Sequence, residues 1–255
     1  MDIHARIVAL LEKEKSFCLA TVVVSNIADV RPGRKAIVFA NGSIEGSVGS
    51  TQLDSNLGRL AQKALKEKKS EVVEIEAGFK VFLNILSPDD ELILCGAGHI
   101  AIPLARFARQ LDFRVTVIDD RADFANPARF PDCKVIAEDF TVALRDLNFS
   151  PATYVVVLTR GHEHDADCLI EILKKKTLYV GLIGSRRRVR FVLEMLAEKG
   201  FSQTRLDDVF TPIGLPIGAE SPEEIGLSIV SELVCVRRKG AAQARALRNA
   251  VGIDL

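Results

Sequence analysis

The chain has 255 residues, 48% hydrophobic and 27% charged, and its 34 Lys+Arg balance 34 Asp+Glu for a formal net charge of zero. This length suits one large domain or two small ones, and balanced charge excludes the broad basic footprint with which proteins grip nucleic acid. Apolar runs such as Cys18–Val24 are strand-sized, far short of a membrane span.

A first helix is predicted over about residues 2–15, with Ile3, Ile7, Leu10 and Leu11 on one face. Charges interleave them, which is unlike a secretory leader. Phe17–Val24 reads as a β-branched strand. Lys35–Phe39 and Ser43–Val48 flank Ala40-Asn41-Gly42, and Asn-Gly is a strong hairpin signal. A second helix is expected over 54–69, striped by Leu53, Leu57, Leu60, Ala64 and Leu65. Strands at 71–76 and 79–86 complete a small α+β unit. The polar break Ser87-Pro88-Asp89-Asp90 then divides a domain of residues 1–87 from one of residues 88–255.

The second part alternates. Strands are expected at 91–95, 114–118, 134–136, 154–159 and 178–183, with helices near 100–110, 141–146, 165–175 and 186–199. Such alternation predicts an α/β fold: a Rossmann-like, doubly wound parallel sheet with helices on both faces. Val155–Leu158 and Val180–Ile183 are continuous apolar runs, as in strands buried on both sides. Ser221-Pro222-Glu223-Glu224 is a full helix start, with Ser as cap, Pro first and Glu third. The basic, Ala-rich tail 237–255 is either a further helix or frayed. Five cysteines (18, 95, 133, 168 and 235) are scattered without a C-x-x-C pair. That pattern predicts free thiols in a reducing, cytoplasmic setting and no structural zinc site.

The most specific signal is Gly96-Ala97-Gly98-His99-Ile100-Ala101, a G-x-G-x-x-A turn between Glu91–Cys95 and an amphipathic helix. Gly96 permits the tight turn, Gly98 lets backbone amides approach a phosphate, and Ala101 lets the helix lie close on the strand. The helix start then offers unpaired N–H groups to an anion. A purely structural turn is the plainer alternative. Three further strand ends should face the same crevice. The turn itself contributes Gly96, Gly98, His99 and Ile100. The second strand ends in Asp119, Asp120 and Arg121, where Asp119 either accepts from a ribose hydroxyl or pairs with Arg121. The fourth ends in Thr159, Arg160, Gly161 and His162, followed by Glu163, His164 and Asp165. The fifth ends in Gly184, Ser185 and Arg186–Arg188.

Ser185 is expected to cap the following helix, with Arg186 representing an anion site from which one of the three arginines turns inward. Asp165 is expected to cap its own helix. His162 and His164, two apart, do not share a helical face, which argues against a metal site. His99 is placed in the first turn of its helix as a neutral hydrogen-bonding group. Cys95 reads as a small buried filler, with a sulfur-handling role as the sharper alternative. Glu223 and Glu224 read as capping residues. No catalytic nucleophile set stands out.

Taken in order, CGAGHIA, VIDDRADFANPARFP, VVVLTRGHEHD, GLIGSRRR and IGLPIGAESPEEIGLSIVSEL resemble the XdhC/CoxI family. These are maturation factors for xanthine dehydrogenase and related molybdenum hydroxylases. PGRKAIVFANGSIEGSVGS resembles the family's N-terminal domain. The resemblance implies that molybdenum cofactor (molybdopterin) is carried as cargo. It implies oxo-to-sulfido exchange with a cysteine desulfurase, and delivery to a client resembling xanthine dehydrogenase or aldehyde oxidoreductase. It further implies a homodimer; neither nucleic acid nor membrane is expected as a partner, from the charge balance and the short apolar runs. One departure stands out: Ser50, Thr51, Gln52 and Asp54 follow GSVG, with Gln52 where the family has a cysteine. The competing reading is an oxidoreductase or nucleotide sensor binding NAD(H) or NADP(H) in the same crevice. Asp119 would there favour the unphosphorylated form, but no proton donor paired with a substrate-binding arginine is evident. A catalytic molybdenum hydroxylase is excluded, since no iron–sulfur cysteine pattern is present.

Overall fold

A computed structural model describes residues 3–13, 15–87 and 90–250. The chain divides into two compact units, residues 1–88 and 89–255.

In the first unit, α1 (Ile3–Glu12) precedes β1 (Phe17–Val24), β2 (Lys35–Phe39), β3 (Ile44–Gly46), α2 (Thr51–Glu67), β4 (Glu71–Glu76) and β5 (Phe79–Leu86). The five strands form an antiparallel sheet in the order β3-β2-β1-β5-β4. Alternation along β1 decides its two faces. Cys18, Ala20 and Val22 join Leu53, Leu57, Ala61 and Ala64 of α2 in one core. Phe17 and Ile37 pack instead with Leu10 of α1. The first helix is shorter than its periodicity suggested, because Lys15 N–H donates back to Leu10 O (3.0 Å) and turns the chain off the axis. Asp2 and Glu14 of that prediction lie outside the described residues. The third strand shrinks from 43–48 to Ile44–Gly46 because Gly46 takes φ +90°. Val48 N–H then turns to Asp54 Oδ1 (2.8 Å). α2 starts at Thr51 rather than 54, since Ser50 caps it by accepting from Leu53 N–H.

The second unit runs β6 (Glu91–Cys95), α3 (Ala101–Gln110), β7 (Arg114–Asp119), β8 (Lys134–Ala137), α4 (Phe140–Asp146), β9 (Thr153–Val157), α5 (His162–Leu173) and β10 (Tyr179–Leu182). It continues with α6 (Arg186–Glu198), α7 (Gln203–Asp207), β11 (Val209–Phe210), α8 (Pro222–Lys239) and α9 (Ala241–Ala250). All six strands are parallel, in the order β11-β10-β9-β6-β7-β8. Strand order reverses between β6 and β9, the switch point at which open α/β sheets bind ligands.

Both sheet faces are covered, as the apolar runs of β9 and β10 require. Leu92, Leu94, Leu104, Ile229 and Leu233 share a core with α3 and α8 on one side. Ile93, Val155, Val157, Leu169 and Val192 share one with α4, α5 and α6 on the other. The helix start at Ser221 is a complete capping box. The basic tail is helical over Ala241–Ala250, and residues 251–255 of that prediction lie outside the described residues. Arg245 clamps it, stacking over Phe210 at 4.0 Å and donating through Nη2 to Asp208 O at 2.8 Å. α7 and β11 escape the sequence reading because they are five and two residues long, too short for any periodicity to register. Among the described residues, no helix is long and apolar enough to cross a membrane.

Candidate functional site

The site builds up from the loops that leave the carboxyl ends of β6, β7, β9 and β10. Gly96 adopts φ +120°, and its N–H donates to Ile118 O at 2.7 Å. A Cβ there would stand 2.4 Å from Leu158 O, so this glycine lets β6 turn directly against the exit of β9. A Cβ on Gly98 would meet nothing within 4 Å, so this second glycine faces open space. Ala101 is fully buried beneath it. α3 begins at Ala101, so His99 lies exposed in the turn before the helix and not in its first turn.

Two helix starts at this crevice differ from others in the chain. α2, α4, α6, α7 and α8 each begin on a Ser or Asp whose side chain accepts from a backbone N–H. α3 and α5 begin on Ile100 and Gly161, with no side-chain cap. α5 thus presents first-turn amides without a side-chain cap, whereas in α3 Ala101 is fully buried and Pro103 has no N–H, which leaves the amide of Ile102; each helix also presents the positive end of its dipole.

The acidic end of β7 is fully engaged. Asp119 is 1% exposed. Its Oδ2 accepts Ala97 N–H (2.8 Å) and Arg121 Nη2 (3.0 Å), and its Oδ1 accepts Arg121 Nε (2.8 Å) and Arg121 N–H (3.1 Å). Arg121 in turn stacks over Phe124 at 3.6 Å. Burial works against the charge of Asp119, but the Arg121 fork and the two amides prevail and hold the carboxyl below its usual range. Of the two roles open to Asp119, the pairing with Arg121 is the one formed, and both oxygens are already engaged.

Asp120 instead reaches sideways. Arg160 grips it with both terminal nitrogens, at 2.5 and 2.7 Å. Since β6 lies between β7 and β9, this pair spans the end of β6 and straps the crevice. Chiefly through the Arg160 hydrogen bonds, the Asp120 pKa falls to about 2. Replacing Arg160 with alanine should return that carboxyl toward about 3.9, as read by NMR titration of its side-chain carbonyl. The depressed pKa contributes stability above the unfolded value that is lost as pH falls toward 2. Arg160 is 42% exposed, so solvent screening keeps this contribution small. An unchanged titration in the variant would mean that the strap is not formed in solution.

α5 starts at His162, three residues earlier than expected, and Asp165 is therefore not its cap. Asp165 is fully buried and accepts Thr159 Oγ1 at 2.6 Å and Arg188 Nε at 2.6 Å. Arg188 Nη2 also donates to Thr159 O at 2.9 Å. Arg188, and not Arg186, is thus the arginine that turns inward. Ser185 fixes the phase of α6 by capping Arg188 N–H, which puts Arg188 beside the buried Val189 and Val192. Arg186 and Arg187 stay exposed, with no ion pair among the described residues. Helical phase from the Ser185 cap was the available signal for Arg188.

His162 meets Phe191 at right angles, 5.0 Å between ring centroids, whereas His164 tilts against Phe140 at 5.5 Å. The two imidazoles diverge, and among the described residues no His, Cys, Asp or Glu cluster could hold a metal ion. Cys95 is buried in the core under the Gly96 turn beside Cys168. Burial, and then the Cys95 thiol, push the Cys168 thiol well above its ordinary value, the opposite of an activated thiolate. In the first unit, Gln52 is exposed in the first turn of α2, while Asp54 holds Val48 N–H. Glu224 accepts Ser221 N–H and so caps α8.

With the crevice described, comparison with known proteins decides the family. Residues 92–233 match the model of the XdhC Rossmann domain, and residues 10–76 match that of the XdhC and CoxI family. The chain belongs to the XdhC/CoxI family. It is 29% identical over 253 residues to the uncharacterized protein YqeB of Escherichia coli (strain K12), covering 93% of this chain and 46% of that one. It is 32% identical over 162 residues to a probable xanthine dehydrogenase subunit from Bacillus subtilis (strain 168), covering 63% of this chain and 47% of the other. The chain thus spans about half the length of the curated relatives it matches. A crystal structure from Bacillus halodurans, described as a xanthine dehydrogenase, superposes with a TM-score of 0.68 at 27% identity. That match covers 94% of this chain and 67% of the other. The XdhC Rossmann match begins within β6 and ends within α8, so it includes all the strand ends described above.

Proposed function

We propose that this XdhC/CoxI chain is an accessory factor for a xanthine-dehydrogenase-type molybdenum hydroxylase, and that it holds molybdenum cofactor in the crevice at the β6–β9 switch point. The observation that carries the reading is the pair of uncapped helix starts, α3 and α5, flanking the open Gly98. The names of the Bacillus relatives supply the client class.

The residues present fit such a cargo. Molybdopterin carries a phosphate, and amides at a helix start with no side-chain cap suit a phosphate oxygen. Gly98 leaves the space a phosphate would need. Arg186 and Arg187, exposed and without ion-pair partners among the described residues, give the exit of β10 a positive potential that draws an anion toward the crevice. The bound group would supply the oxo-molybdenum chemistry of the client. The chain's own residues bind it, orient it and shield it. Arg160 and Asp120 strap the crevice, so admission of a ligand phosphate would draw Arg160 away from Asp120. Gln52 is an amide, not a thiol, so sulfur for oxo-to-sulfido exchange would come from a partner cysteine desulfurase and not from this loop. A second copy of the chain completes the expected partners. The nicotinamide reading loses its main anchor, because Asp119 has no free oxygen to offer a ribose diol.

Mass spectrometry of ligand released from protein expressed in molybdate-replete cells tests the proposal. A pterin phosphate should be released, and Gly98→Val should abolish its retention while the protein remains folded. Co-expression should raise the activity of a molybdenum hydroxylase client. Protein that retains no pterin and leaves the client unaffected would sink the reading.

A further inference from the structure

The crevice continues past α5 into a cavity of about 640 Å³ beside α6, and its lining is not explained by the phosphate-binding turn. Arg187 lies three and four residues before Arg190 and Phe191, and Glu194 four and three after them, so the four share one face of α6. That face is open. Phe191 is 47% exposed, which removes it from the core, and it forms a right-angled corner with His162. Arg186, Arg187 and Arg190 are exposed and make no ion pair or hydrogen bond among the described residues. The fourth arginine, Arg188, is spent on Asp165. Glu194 is the single acid in the lining.

A solvated helix face normally mixes signs and avoids a bare aromatic ring. Here three unneutralised guanidinium groups surround a ring in a concavity at the carboxyl ends of β9 and β10. The matching ligand has a flat ring to lie against Phe191 and more than one negative charge for the arginines. A carboxylate peptide would satisfy the cations but not the ring, and a neutral aromatic would satisfy the ring but not the cations.

We infer that the α6 cavity is a nucleotide subsite: a nucleoside diphosphate docks with its base on Phe191 and its phosphates on Arg187, Arg190 and Arg186. The inference rests on the strand-end crevice being a ligand site, as proposed above, but not on the cargo being a pterin. The nucleotide is either free or the nucleotide arm of a larger dinucleotide cargo, since both present the same base and diphosphate.

Isothermal titration of the full chain with ADP, adenosine and inorganic pyrophosphate tests it. ADP should bind about tenfold or more tightly than either fragment, because each fragment lacks one half of the contacts. Phe191→Ala should weaken ADP by about tenfold, the typical worth of one base–aromatic stack, and leave pyrophosphate unchanged. Arg187→Ala with Arg190→Ala should weaken both phosphates, whereas Arg59→Ala, in the N-terminal unit, should weaken neither. ADP that adds to pterin-loaded protein marks a free nucleotide, and ADP excluded by the loaded cargo marks a nucleotide arm. Either supports the subsite. ADP binding no tighter than pyrophosphate, insensitivity to Phe191→Ala, or absence of ADP binding overturns it. So does a result in which Phe191→Ala impairs client activation while ADP does not bind, which would make the face a protein-docking surface. Pterin retention is read separately by mass spectrometry, so the two proposals fail independently.

Discussion

Gly96→Ala is expected to destabilise the C-terminal unit by about 4 kcal/mol, while Gly98→Ala should cost less than about 1 kcal/mol, although both belong to one motif. The difference follows from what each absent Cβ would meet. At Gly96 it would lie 2.4 Å from Leu158 O and 2.8 Å from Leu158 C, both backbone atoms. That backbone cannot retreat. Leu158 N–H is tied to Cys95 O at 2.9 Å, and Gly96 N–H to Ile118 O at 2.7 Å, so three adjacent strand exits would have to move together. The φ of +120° adds a second penalty, because only glycine adopts that region readily. At Gly98 a methyl group would enter open space. Urea unfolding followed by circular dichroism distinguishes the two. A Gly96→Ala protein within about 1 kcal/mol of wild type would mean that the turn can relax, and that its glycine is not held by the β9 exit. The same contrast separates structure from binding. The first glycine lets the strands converge, and the second leaves room for the ligand.

The local rules of the chain were readable wherever they depended on neighbours in sequence. The β–α alternation, the Asn41-Gly42 hairpin and the Ser221 capping box all rest on short-range chemistry, and each appears in the structure. What was not readable depends on tertiary placement. From sequence, Asp119 was open to two roles, a ribose contact or a pairing with Arg121. Its fate was decided by Arg121 folding back from a loop whose Phe124 supports the guanidinium. Asp165 looked like a cap, but α5 begins earlier and the carboxylate meets Arg188 from a helix 23 residues away. Phe191 carries no distinguishing signal in the sequence, and the fold places it exposed among arginines. The site was therefore legible as a set of strand ends, but not in its pairings, because ion pairs between loops leave no periodic trace.

The most consequential of those pairings gives the second large expectation. Arg188→Met should cost about 3 kcal/mol at pH 8, because removing one partner of a buried pair leaves the other charge uncompensated. Asp165 is fully buried, and burial raises its pKa despite the hydrogen bonds from Thr159 and Arg188 that oppose it. The folded protein therefore binds this proton more tightly than the unfolded chain. The favourable contribution is complete below the unfolded value of about 3.9 and is lost as pH rises through the raised folded value. Without Arg188 the folded pKa climbs further. The deficit should then shrink as pH falls and Asp165 takes up its proton. Adding Asp165→Asn to Arg188→Met should restore most of the loss at pH 8, since no charge is then buried. Urea unfolding at pH 5 and pH 8 supplies the comparison. A deficit equal at both pH values, unrelieved by Asp165→Asn, would show that Arg188 acts through packing alone. If the pH dependence is found, Arg188 is the tie that fixes α6 against the exit of β9. The orientation of His162 and Phe191 then depends on it, and Arg186, Arg187 and Arg190 are left free to meet a ligand.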